Sequence, residues 1–242
     1  MSRADLLLWI VLPYAALTVF VAGHIWRYRH DQFGWTTRST QLLERRRLRP
    51  AVLLFHVGLL AVIGGHVLGL LVPSSVTEAL GVSEDQYHAV SVTAGTLSGL
   101  IMLVGFVLLL VRRETDARVR ATTTTTDRLT YLLLGVMILT GMYATVGENL
   151  LGGGYDYRET VAPWFRGIFT LDPDTSLIAG APLVYRVHAA TAFVLYALWP
   201  FSRLVHAWSV PIAYLGRSPI LYRSRRRDRG AADERNRTRT AT

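Results

Sequence analysis

No cysteine occurs among the 242 residues. That excludes disulfides, cysteine-ligated iron–sulfur clusters and the C-x-x-C-H attachment of a covalent haem. Lysine is missing as well, so all 26 basic side chains are arginine. Charged residues make up 18% of the chain and are confined to the connections between apolar runs. A soluble domain of this size would spread its charge along the sequence. The centres of the apolar runs hold no Asp or Glu. A transporter that moves metal or protons would need carboxylates or broken helices at that depth, so that class is disfavoured.

Five apolar runs are present, over 5–27, 51–72, 88–111, 129–150 and 183–210. Each is long enough to cross about 30 Å of hydrocarbon. Backbone polar groups in lipid must be satisfied within the segment, which makes each run a helix. The expected fold is an all-α membrane protein, a five-transmembrane-helix bundle. The first run reads as a retained span, since no small-residue cleavage site with a soluble domain follows it. Arginine sets the orientation. Seven lie in 27–50, five in 112–128 and ten in 203–242, against none in 73–87 and three, with five acids, in 148–186. By the positive-inside rule the N-terminus is outside and the C-terminus cytoplasmic. The net charge of +9 therefore does not point to nucleic acid. The basic faces are expected to meet anionic lipid headgroups or an acidic partner. Residues 1–222 read as the transmembrane domain, and 223–242 as an Arg-rich disordered cytoplasmic tail. The threonine run Thr122–Thr126 before Asp127 suits a loop-to-helix junction, that is, a helix start.

Four histidines interrupt the apolar runs: His56 and His66 in the second, His188 and His206 in the fifth. An ionisable ring at membrane depth is costly and points to function. Span two runs outward and span five inward, so depth pairs His56 with His206 near the inner face and His66 with His188 near the outer face. Ten helical residues rise about 15 Å and eighteen about 27 Å, so span five must tilt strongly against span two. Eighteen residues make five whole turns, which puts His188 and His206 on one face. Two opposed imidazoles without carboxylate or thiol leave zinc or copper short of ligands. A haem supplies four nitrogens itself and needs only two axial ligands. Gly58, Gly64, Gly65 and Gly69 strip side chains from span two, either for a flat macrocycle or for close helix packing.

Other residues have two readings. His24 and His30 flank the inner end of span one and read as interfacial. His88, after Tyr87 at the outer start of span three, is an interfacial cap or a hydrogen-bond partner and proton acceptor for a quinol head group. Arg112 and Arg113 snorkel at the inner face or pair with the propionates of an inner haem. Arg203, three residues before His206, is a further propionate candidate.

The string PFSRLVHAWSVPIAYL after Trp199, RVRATTT at 118–124 and the HVG…GGH pattern of span two resemble the gamma subunit family of respiratory nitrate reductase. These are membrane dihaem cytochromes b. The resemblance runs from span one to about Tyr222. It implies two b haems ligated by His56, His66, His188 and His206. It also implies a menaquinol or ubiquinol bound beside Gly65 and His66, a bacterial or archaeal cell membrane, and two partner subunits. One is an iron–sulfur beta subunit, the other a molybdenum-containing alpha subunit that reduces nitrate. Family members can carry a lysine near the outer start of span three; His88 or Tyr87 stands in for it here. Related dihaem cytochromes b of sulfite-reductase-associated or heterodisulfide-type complexes are the alternative, and a structural membrane anchor is a weaker one.

Overall fold

Local sequence signals start the helices. Ser2 and Asp5 form a reciprocal capping box, as do Ser83 with Gln86 and Thr124 with Asp127, so orphan N–H groups at three helix starts are satisfied by side chains. The computed structural model describes residues 2–208, and within them no strand occurs. Four long helices carry the fold: α1 (Arg3–His30), α2 (Leu48–Leu71), α4 (Glu84–Thr115) and α6 (Thr125–Leu150). Short helices lie between and after them: α3 (Ser74–Ala79), α5 (Ala117–Ala121), α7 (Val161–Thr170), α8 (Thr175–Ala179) and α9 (Leu183–Leu198). The expected disorder of 223–242, and the last two residues of the fifth run, lie outside the described residues.

All four long helices are long and apolar enough to cross a membrane. Only 17–28% of the residues in their most apolar stretches are buried within the chain. The remaining apolar surface needs a nonaqueous neighbour, and the protein is a membrane protein.

The fifth run departs from expectation. It is not one continuous helix over 183–210, because α9 ends at Leu198. Pro200 has no N–H to give the Tyr196 carbonyl four residues back, and its ring crowds that carbonyl. A 3₁₀ turn (Trp199–Phe201) follows, then Ser202 in extended conformation (φ −111°, ψ 179°), then a 3₁₀ stretch (Arg203–Trp208). At 16 residues, α9 rises about 24 Å, less than any of the four long helices. His188 and His206 therefore do not share one helix face.

The closest helix pair is α2 against α4. A Cβ on Gly58 would lie 2.5 Å from the Met102 backbone nitrogen, and Gly105 meets the Phe55 backbone in the same way. Small residues let antiparallel backbones touch, and the two contacts fix the register: His66 lies level with Ala94. α9 packs on α1 and α6. Pro13 cannot give an N–H to the Trp9 carbonyl, and the buried Trp164 of α7 donates its indole N–H there at 3.1 Å. That bond seats α7 across one mouth of the bundle.

At the other mouth, where the arginine-rich connections gather, two buried arginines hold residues 31–47. Arg27 donates to the carbonyls of Pro200, Ser202 and Gly34. Arg112 donates to the Glu44 carboxylate (2.7 Å), the Glu44 and Thr40 carbonyls and the Thr40 hydroxyl. The Arg47 backbone N–H and Arg112 together hold the Glu44 carboxyl below its ordinary 4.5. A depressed acid stabilises the fold above its unfolded pKa and loses that contribution as pH falls through its folded value. The anchoring of this loop is therefore complete above about pH 5 and is lost on acidification below the ordinary carboxylate range. Arg112→Ala is expected to cost about 1–3 kcal/mol, because a partly buried carboxylate and the Thr40 and Glu44 carbonyls lose their donor. Thermal unfolding in detergent and trypsin cleavage at Arg38 and Arg45 check this; unchanged cleavage would show the loop is held otherwise.

Candidate functional site

The structure brings the four intramembrane histidines together as two pairs. The ring centroids of His56 and His206 are 6.1 Å apart with planes at 69°, and those of His66 and His188 are 5.9 Å apart with planes at 15°. A single metal between two imidazoles, bonded at about 2.0–2.1 Å as in zinc sites, puts trans ring centroids about 6 Å apart. Both pairs match that span. The break after Leu198 resolves the tension between ten residues on one helix and eighteen on the other. The chain turns at Ser202, and the 3₁₀ stretch delivers His206 to His56 without a strongly tilted span.

Hydrogen bonds select one tautomer in all four rings. His56 Nδ1 lies 2.8 Å from the Val52 carbonyl, His66 Nδ1 2.8 Å from that of Val62, and His206 Nδ1 2.7 Å from that of Arg203. A carbonyl only accepts, so Nδ1 carries the proton. His188 Nδ1 faces the Thr140 hydroxyl at 2.9 Å. The single proton of that hydroxyl is directed at the Val136 carbonyl, 2.6 Å away. Thr140 therefore accepts from His188, and Nδ1 is again the donor. With Nδ1–H fixed, Nε2 is the nitrogen through which each neutral ring can ligate, and metal-binding histidines are oriented in this way. The i−4 carbonyl bond alone is not diagnostic, because His24 and His30 make it too. What sets the four apart is their pairing. The ring of His24 instead sits among Phe20, Trp35 and Trp208, more enclosed than an interfacial residue.

Thr140 was not visible from sequence, where it is one hydroxyl among several in an apolar run. Thr140→Val is expected to weaken any metal held by His188 by about 10–100-fold, the usual cost of losing such an orienting bond. Titration of the cofactor into the purified chain would measure it, and wild-type affinity would remove Thr140 from the site.

The glycines of α2 divide into two groups. Gly58 serves the α2–α4 contact. Gly69 is covered by Tyr157, whose hydroxyl would lie 2.5 Å from an added Cβ. Gly64 and Gly65 have nothing within 4 Å of that position, and His66 beside them is exposed. Open space on α2 thus coincides with the His66–His188 pair. From the α2–α4 register, His88 lies six residues, or about 9 Å, beyond the level of His66. It is exposed, with Gly154 beyond it. The Tyr87 hydroxyl is 3.4 Å from that of Tyr157, and the Arg158 guanidinium lies 3.8 Å over the Tyr87 ring. Arg158 also pairs with Glu84 at 2.9 Å.

Of the three arginines assigned to propionates, Arg112 is engaged by Thr40 and Glu44, as described. Arg113 donates to the Thr123 hydroxyl at 2.8 Å and lies over the Tyr131 ring. Arg203 Nε donates to Asp127 at 2.7 Å. Asp127, 1% exposed, is 4.0 Å from Arg113 as well, so one buried carboxylate ties α6 to both α4 and the segment carrying His206. Sequence reading treated Asp127 only as a helix-start residue. Among the described residues, no group of three or more His, Cys, Asp or Glu is arranged to hold a metal ion.

A family model for the nitrate reductase gamma subunit matches residues 5–225. The chain belongs to the nitrate reductase gamma subunit family. It is 48% identical over 219 residues to the nitrate reductase gamma chain of Bacillus subtilis, covering 90% of this chain and 98% of that one. It is 49% identical over 220 residues to the nitrate reductase-like protein NarX of Mycobacterium tuberculosis, where it spans 34% of a longer protein. The respiratory nitrate reductase 1 gamma chain of Escherichia coli is 37% identical over 217 residues, covering 89% and 95% of the two chains. Membership of this family decides against the sulfite-reductase-associated and heterodisulfide-type alternatives, and makes the chain a subunit of a nitrate reductase complex.

Proposed function

We propose that this subunit is a dihaem cytochrome b that oxidises quinol at the outer face of a bacterial or archaeal cell membrane. It passes the electrons through two b haems to iron–sulfur beta and molybdenum alpha subunits, where nitrate is reduced. One observation carries the reading: two histidine pairs at two depths, each about 6 Å between centroids, with all four rings held as Nδ1–H donors. His66 and His188 would hold the outer haem, His56 and His206 the inner. Each haem, when bound, supplies a one-electron iron couple.

The rest is done by the chain. The N-terminus outside and the C-terminus inside follow from arginine placement, so the His66 end faces outward. A menaquinol or ubiquinol head group resting on the open surface of Gly65, beside His66, gives up two electrons and two protons to become quinone. The imidazole of His88 is exposed, and a ring nitrogen there can accept a proton and pass it toward the outside. Tyr87 lies on the same rim. Arg203 commits Nε to Asp127. In a 3₁₀ stretch residues i and i+3 eclipse, so Arg203 and His206 share a face, where an inner propionate would need a cation. Arg113, tied to the same Asp127, is a second contact there, and Arg112 serves the loop.

If two histidines hold each haem, the iron would have no position left for a further ligand. Dithionite-reduced membranes containing the complex are therefore expected to show an unchanged visible spectrum under carbon monoxide. A carbon monoxide shift at either centre would mean that one of the four rings is not a ligand.

A further inference from the structure

Gly65 and Gly69 lie one turn apart on the same face of α2, and their surroundings differ. Space beside Gly65 is open, while Gly69 is covered by the phenol of Tyr157. Tyr157 therefore forms the outer wall of the surface that begins at Gly65. By the α2–α4 register, Gly69 lies between the level of His66 and that of Tyr87. The Tyr157 hydroxyl, against Gly69 and 3.4 Å from the Tyr87 hydroxyl, spans the gap between them. Its ring is set in place. Ala162 donates its N–H to the Tyr157 carbonyl at 2.8 Å at the start of α7, and the ring lies nearly parallel to that of Tyr185 at 6.5 Å. Asn149 holds Tyr185 through its hydroxyl at 2.6 Å.

We infer that Tyr157 contacts the quinol head group, its hydroxyl hydrogen-bonding a ring oxygen at the outer edge of the Gly65 surface with Tyr87 behind it. This rests on the quinol reading of that surface. A quinol ring oxygen can accept a hydrogen bond, and a phenol can donate to the substrate while accepting from Tyr87. Burial, the largest cause, and the Tyr87 hydroxyl push the Tyr157 phenol well above its ordinary pKa of 10.0. It stays a neutral donor across the working pH range and does not act as the proton acceptor.

The test uses the assembled nitrate reductase complex with menadiol, a short naphthoquinol, as electron donor. Tyr157→Phe keeps the ring and removes the hydroxyl. KM for menadiol is expected to rise about tenfold, as for loss of one hydrogen bond, with kcat within about twofold. Equilibrium binding of menadione should weaken by the same factor, and the dithionite-reduced haem spectrum should not change. Gly69→Ala pushes the hydroxyl aside without altering Tyr157 and is expected to raise KM in the same direction. Wild-type KM and binding in both variants, while menadiol still reduces the unmodified complex, would overturn the assignment of Tyr157 alone. Failure of menadiol and of short-chain ubiquinol to reduce the unmodified complex would overturn the quinol reading and Tyr157 with it.

Discussion

His66→Leu is expected to remove one of two haems and to lower quinol-dependent nitrate reduction by more than about 100-fold. Loss of an orienting group outside the ligand shell already costs about 10–100-fold, and here a ligand itself is lost. The change is confined to one level of the bilayer. His66 is exposed on α2, its Nδ1 bonded only to the Val62 carbonyl one turn back, so no packing partner is orphaned. The His56–His206 pair, ten residues away on α2, should keep its haem. An artificial donor that reduces the partner subunits directly should still drive nitrate reduction, which separates loss of quinol oxidation from loss of assembly. Full quinol activity in this variant would rule out His66 as a ligand on the electron path.

The second large effect is expected from Asp127→Ala. This carboxylate is 1% exposed and accepts from Arg203 at 2.7 Å and from the Thr124 backbone N–H at 3.1 Å. Arg113 stands 4.0 Å away. Removing it leaves two largely buried guanidinium groups without their counter-ion, a loss of about 3–5 kcal/mol. The consequence is local. Residues 203–208 follow a broken helix and are tied to α6 by the Arg203–Asp127 bond, so His206 should shift away from His56. Asp127→Ala is therefore expected to lose the haem at the arginine-rich end and to keep the one at His66. Haem content per chain and thermal unfolding in detergent measure the two effects. Asp127→Asn, which keeps an acceptor, should be intermediate. A variant retaining both haems would show that the segment is held by something else.

How far the sequence anticipates this site depends on the kind of signal each residue carries. The four histidines stand out because an ionisable ring in an apolar run has a cost that must be repaid, and their depths follow from counting along the spans. Arginine bias marks the two ends of the bundle for the same reason. The helix start before Asp127 is legible because capping is a local interaction. The break at Leu198 was signalled by Pro200, but the weight of an apolar run from 183 to 210 masked it. Long-range partnerships leave no such trace. Thr140 meets His188 across 48 positions, and Arg112 meets Glu44 across 68. Nothing in spacing separates an arginine that anchors a loop from one that awaits a propionate. The glycines of α2 look alike in sequence, yet Gly58 touches a backbone, Gly69 a phenol and Gly65 nothing. Tyr157 sits in a connection without periodicity, where only the folded chain reveals that it reaches α2.

The central claim is that each of two histidine pairs grips one haem. Quantitative haem extraction combined with a redox titration of membranes containing only this chain tests it most directly. Two b haems per chain are expected, titrating as two components, with one component lost in His66→Leu or His188→Leu and the other in His56→Leu or His206→Leu. A colourless preparation, or a spectrum that survives all four substitutions, would contradict the account.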